Sequence, residues 1–218
     1  MTRLLHASLA ILLLVGLLRV DNWERFRGRN GTGESTDPNI PLTFDATKNV
    51  LWKVPVGAGN SSPIVWDNHL FLHAASEDGK QRSLLCFDTS NGKLRWERGI
   101  PGTTAKIRAD SSLASSTPTT DGQAVYVSFW DGKDVTILAY DFQGEKLWSK
   151  ALGTFNSQHG PGASPILFED KLILANDMDK DDFFTKVVNP RPSVLMALDK
   201  RTGKLLWETE RVAERACY

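Results

Sequence analysis

The sequence predicts an all-β chain made of about three copies of one four-stranded antiparallel unit. Three observations predict it. A tail is written three times, as "CFDTSNGKLRW" (Cys86 to Trp96), "AYDFQGEKLW" (Ala139 to Trp148) and "ALDKRTGKLLW" (Ala197 to Trp207). A head precedes each tail, as "SPIVWDNHLFL" from Ser62, "TPTTDGQAVYV" from Thr117 and "SPILFEDKLIL" from Ser164. In every head an apolar triplet begins seven residues after the proline. Repeats of roughly 40–50 residues with four short strands each read as the blades of a β-propeller. The third copy is longer because Asp177 to Pro192 is inserted ahead of its third strand.

Each element has its own reason. The first strand of a unit follows the Ser/Thr-Pro pair. A turn pair then intervenes (Asp67-Asn68, Asp121-Gly122 or Glu169-Asp170). The triplet that follows forms the second strand. Short β-branched and aromatic runs broken by Asp, Asn and Gly are strand-and-hairpin signals. The third strand ends at Asp88, Asp141 or Asp199, whose carboxylate can accept hydrogen bonds from turn N–H groups. Gly92, Gly144 and Gly203 supply the positive φ such turns need. Trp96, Trp148 and Trp207 follow on the fourth strand. An indole that buries ~150–250 Å² is suited to docking one blade on its neighbour. The predicted blades are 61–99, 115–152 and 162–211, with 212–218 beginning another.

Composition narrows the function. Hydrophobic residues are 41% and charged residues 24%, the balance of a folded globular chain rather than a disordered one. Lys+Arg and Asp+Glu are both 26, so no overall field favours nucleic acid, and no nucleic-acid partner is expected. Cys86 and Cys217 show neither CxxC spacing nor a His pair, which leaves a zinc site unsupported. A disulfide between them stays open. Cys86 stands where the third tail has Ala197, so it reads as a small buried residue. Residues 1–20, "MTRLLHASLAILLLVGLLRV", carry Arg3 and then a Leu-dominated run too short for a comfortable membrane span. They read as a signal-like helix, either a signal peptide or a short membrane anchor. No Cys follows to carry a lipid. Residues 21–43 form an N-terminal extension and 44–218 the propeller portion.

The tail resembles the tryptophan-docking motif A-x-D-x-x-T-G-x-x-x-W of the PQQ-like (quinoprotein-like) β-propeller repeat family. Ala197, Asp199, Thr202, Gly203 and Trp207 fit it; Cys86 and Asn91 depart from it in the first copy, and the second copy is one residue short. The opening "WERFRGRNGTGES" (Trp23 to Ser35) and "NVLWKVPV" are similar to those of secreted bacterial members. The resemblance implies that "FDATKNVLW" (Phe44 to Trp52) is a worn tail and that 44–56 closes the last blade, with Trp52 in its outer strand. Propellers typically have 4–8 blades. The expectation is therefore an N-terminal fragment of a longer ring, seen as an open arc in which Trp52 lacks its proper partner blade.

The resemblance implies two broad activities. BamB-like members suggest a non-catalytic exported scaffold, periplasmic or extracellular, that binds proteins or extended peptides. Quinoprotein dehydrogenases suggest an enzyme that holds pyrroloquinoline quinone with adjacent cysteines, a calcium ion and a catalytic Asp. None of those cofactor residues can be placed here, so neither a catalytic residue nor a cofactor is assigned. An extracytoplasmic ligand-sensing domain is a third reading. Candidate ligand-face loops hold His159 in "NSQHGPGASP", and Arg108 and Asp110 in "AKIRADSSLASSTP". Ser115 and Ser116 lack a GxSxG setting. Asp177, Asp179, Asp181 and Asp182 alternate like the start of a calcium loop, but the sixth and twelfth positions, Asp182 and Val188, break the pattern. Asn30 and Asn60 lie in glycosylation sequons.

Overall fold

The computed structural model describes residues 22–179 and 191–213. The signal-like segment, Asp181, Asp182 and Cys217 lie outside the described residues. Three four-stranded antiparallel sheets form an open arc. The first is β1 (Ile64–Trp66), β2 (His69–Ala75), β3 (Gln81–Asp88) and β4 (Leu94–Pro101). The second is β5 (Thr119–Thr120), β6 (Ala124–Trp130), β7 (Asp134–Asp141) and β8 (Lys146–Thr154). The third is β9 (Ile166–Phe168), β10 (Lys171–Asn176), β11 (Ser193–Asp199) and β12 (Leu205–Arg211). Each sheet is a meander whose spatial order is its chain order.

Register explains the tail motif. Cys86 lies opposite Trp96, Ala139 opposite Trp148 and Ala197 opposite Trp207. The pairing shifts immediately afterwards in all three ladders. Directly opposed residues share a face, so the small side chain leaves room beside the indole. The shift is a bulge, which bends the strand as it leaves the turn. On the same face Phe71 and Tyr126 lie 5.8 Å and 6.0 Å from Trp96 and Trp148.

Period-2 alternation makes the sheets stack. Val125, Val127 and Phe129 of β6 join Ile64, Phe71, Leu84 and Trp96 in a core between the first two sheets. Their alternates Ala124, Tyr126 and Trp130 join Leu172, Leu174 and Met196 in a core between the second and third. The middle sheet is thus covered on both faces, and β6 is buried throughout.

The tails and heads form two interblade rows. In the outer row the indoles of the first two sheets lie on the turn of the next sheet. A Cβ at Gly144 would meet Trp96 at 2.9 Å, and one at Gly203 would meet Trp148 at 2.5 Å. Those glycines have φ of 83° and 69°, so they are needed both for the turn and for the contact. Trp96 Nε1 donates to Phe142 O and Trp148 Nε1 to Lys200 O, each at 2.9 Å. In the inner row the heads link directly: Ser62 N–H donates to Thr117 Oγ1 at 3.0 Å, and Thr117 N–H to Ser164 Oγ at 2.9 Å. Trp66 adds a contact the tail motif does not announce, with its indole against Gly122 of the second sheet.

The two ends of the arc differ from each other. Residues 44–56 join no strand, yet Trp52 does not lack a partner. Its indole lies on Gly92 of the first sheet, 2.7 Å from where a Cβ would stand, and Nε1 donates to Thr89 O at 2.7 Å. The glycine turn is a preformed seat whether or not the incoming residues belong to a sheet. Trp207 is the tail indole left in the open, 38% exposed against 9% for Trp96 and Trp148.

That contrast predicts unequal losses. Trp148→Ala should destabilise by about 3–5 kcal/mol, the usual range for emptying a packed aromatic site. In the 218-residue chain, Trp207→Ala should cost under about 1 kcal/mol, as exposed substitutions do. Equal shifts of the two variants in urea unfolding would refute the docking account.

Candidate functional site: the axial cleft

The inner strands β1, β5 and β9 are short, and the N-terminal extension lies against the first two of them. Trp23 and Val65 exchange two backbone hydrogen bonds, both 2.9 Å. Glu24 O accepts from Thr120 N–H at 2.9 Å and from Thr119 Oγ1 at 3.2 Å. The extension therefore straps the first blade to the second. Its own turn is set by Gly28, whose φ of 64° and missing Cβ let the Trp23 indole fold over it. Gly28 N–H donates to Arg25 O at 2.9 Å, and Arg25 Nε donates back to Gly28 O at 3.2 Å.

Beside this strap opens a cleft of about 670 Å³, walled by Arg25, Phe26, Arg27, Asn60, Asp110, Ser115, Thr117, Ser164 and Ile166. Loops between blades meet here, as binding loops on a rigid scaffold commonly do. Arg25 and Arg27 form no ion pair among the described residues. Arg27 lies over the Phe26 ring at 5.4 Å. Asp110 is already engaged by Arg108 Nε at 3.2 Å, and that hydrogen bond holds its carboxyl below the usual range. The cleft thus offers two unneutralised guanidiniums, hydroxyls and an apolar patch.

The structure brings some sequence candidates together and separates others. Arg108, Asp110 and His159 share one corner: Ser111 Oγ hydrogen-bonds His159 Nδ1 at 3.1 Å, and Arg108 N–H donates to Gln158 O at 2.9 Å. Of these three, Asp110 reaches the cleft wall. The turn carboxylates sit far out on the blades. Asp88 Oδ1 accepts from Ser90 N–H at 2.9 Å, Asp141 Oδ1 from Gln143 N–H at 2.9 Å, and Asp199 Oδ1 from Thr202 N–H at 2.9 Å. The Ser90 and Thr202 hydroxyls are the first cause of lowered carboxyl values at Asp88 and Asp199. Asp179 Oδ2 accepts from Gln158 N–H at 2.9 Å, and Asp177 pairs with Arg211 at 3.5 Å. Both act within the fold, and among the described residues no group of three or more His, Cys, Asp or Glu is placed to hold a metal.

Of the groups that the quinoprotein resemblance implies, the given sequence has no adjacent cysteines, and among the described residues no acidic cluster is placed to hold a cation. Cys86 lies in the core opposite Trp96, away from the cleft, and burial pushes its thiol up to about 12. The cleft wall supplies hydroxyls, an amide and guanidiniums, with its one carboxylate tied to Arg108.

Sequence reading missed Arg25 and Arg27. Three arginines within five residues, at 25, 27 and 29, form a local basic cluster, which was a usable signal. It also missed His73, buried between the first two blades. Its Nδ1 lies 3.0 Å from Ser116 O, its backbone N–H donates to Ser61 Oγ at 3.2 Å, and its ring stands edge-on to Phe129. Burial lowers its pKa from 6.5 to about 4.

Fold and cleft define a β-propeller of PQQ-like repeats with an open axial face. More particularly, the chain belongs to the outer membrane protein assembly factor BamB family, whose pattern matches residues 42–216. No curated protein matches the chain. Among solved structures, a europium-containing methanol dehydrogenase superposes with a TM-score of 0.52 at 14% identity, covering 72% of this chain and 25% of that one. A quinohemoprotein alcohol dehydrogenase from Pseudomonas putida HK5 gives 0.48 at 20% identity, covering 74% and 22%. BamB from Moraxella catarrhalis gives 0.38 at 15% identity, covering 68% and 50%. The chain spans about a quarter of the length of the two dehydrogenases. The likeness to the first is one of fold.

His73 yields a pH prediction. Its folded pKa lies below the unfolded one, so between pH 6.5 and about 4 the unfolded chain binds a proton that the folded chain does not. Stability is therefore lost as pH falls through that window. Urea midpoints measured at steps across it should decline more steeply for the natural protein than for His73→Gln. Parallel profiles would remove His73 from the account.

Proposed function

We propose that the chain is an exported, non-catalytic propeller scaffold that binds protein or extended-peptide partners along its axis. One observation carries this reading: the inner edge of the first blade already accepts backbone pairing from outside its sheet, through the single bridge of two hydrogen bonds between Trp23 and Val65. Backbone pairing gives an extended partner affinity, and flanking pockets give it selectivity. The family's description as an outer membrane protein assembly factor agrees with such a role. Export rests on the apolar run within residues 1–20, which would leave the protein periplasmic or extracellular, with a possible membrane tether. In the same reading residues 44–56 join a closing blade, because Trp52 already occupies the Gly92 seat.

Site-specific photo-crosslinking tests it. A photoreactive side chain at Ile166, on the cleft wall, should give a discrete protein adduct in cells of the source organism; one at Lys146, exposed on the outer strand β8, should not. Adducts from both positions or neither, or quinone-dependent alcohol oxidation by the purified protein, would overturn the reading.

A further inference from the structure

The charge at the axial cleft is not balanced. The charged residues on its wall are Arg25, Arg27 and Asp110, and Asp110 is committed to Arg108 at 3.2 Å. Arg25 is half-buried and uses Nε on Gly28 O, which aims the guanidinium without neutralising it. Arg27 has the strained φ of 61° and rests on the Phe26 ring. A non-glycine residue held at positive φ needs its surroundings to enforce it, here the tight turn closed by Gly28 and Gly33 N–H groups. The arginines are thus displayed on a fixed loop rather than on a loose tail.

The second feature is apolar. Phe26 is 46% exposed and Ile166 is 39% exposed, and both line the same cleft. Ile166 begins β9, which pairs with β10 on one side and, among the described residues, has no ladder on the other. A strand edge, an apolar floor and two fixed guanidiniums stand within one cavity.

We propose, resting on the scaffold reading above, that this cleft takes an acidic extended segment of the partner. Its carboxylates pair with Arg25 and Arg27, and an apolar side chain lies against Phe26 and Ile166. Guanidinium–carboxylate pairing can be bidentate, which gives orientation as well as attraction. Charge complementarity of this kind fixes register and speeds encounter.

The test is fluorescence anisotropy of the full chain with a fluorescein-labelled peptide alternating glutamate with phenylalanine and valine, beside its glutamine counterpart. The glutamate peptide should bind at least about tenfold more tightly than the glutamine peptide, and the preference should shrink as salt shortens the Debye length from ~30 Å toward ~8 Å. Arg27→Gln, at an exposed side chain, should remove much of the preference, and Arg25→Gln/Arg27→Gln should abolish it. Unchanged circular dichroism and urea midpoints would show that these variants keep the fold. Equal binding of the two peptides would overturn the proposal while leaving the scaffold reading intact. So would failure of both peptides to bind when the Ile166 crosslink persists. Loss of that crosslink as well would bring down the scaffold reading with it.

Discussion

An indole can lie flat on a β-turn when the turn residue beneath it has no Cβ, and this contact organises the protein. It recurs as Trp52 on Gly92, Trp96 on Gly144 and Trp148 on Gly203. The same glycines adopt positive φ, so the turn and the seat are one requirement. Burying an indole contributes about 4–6 kcal/mol as an upper estimate, against about 1 kcal/mol net for a hydrogen bond. The outer row of indoles therefore sets how the sheets stack. The Nε1–carbonyl bonds orient each ring and satisfy its donor.

The inner row works differently. Ser62, Thr117 and Ser164 pass hydrogen bonds from head to head where the blades converge. Close convergence leaves partly buried backbone groups in need of partners, and small hydroxyl side chains answer them. His73 belongs to this layer through Ser61 and Ser116, and its burial makes the layer acid-sensitive. Surface ion pairs such as Lys80–Asp78 add little beside these two rows.

The axial cleft exists because these rows hold three blades at a fixed angle while the strap occupies the inner edge of only the first two. Trp23, Val65, Glu24 and Thr120 fasten the strap. That fastening places Arg25 and Arg27 over loops that come from chain positions far from them. The cleft is thus assembled from Asn60, Asp110 and Ser164 as well as from the strap.

By itself the sequence determined the repeat, and with it the four-stranded sheets. The spacing of Pro, turn pair, apolar triplet, Asp, Gly and Trp is local, and local chemistry decides strands and turns. It also made Gly92, Gly144, Gly203 and their tryptophans legible, because three copies in register expose a shared constraint. The tertiary structure alone decided what each indole touches: Trp52 finds a seat without joining a sheet, Trp66 rests on Gly122, and Trp207 stands open. It alone showed that Ser62, Thr117 and Ser164 bond to one another, and that Arg25 and Arg27 share a wall with Ile166. Those relations join residues about fifty to more than a hundred positions apart, where no local propensity acts and only the packing of whole blades sets distance.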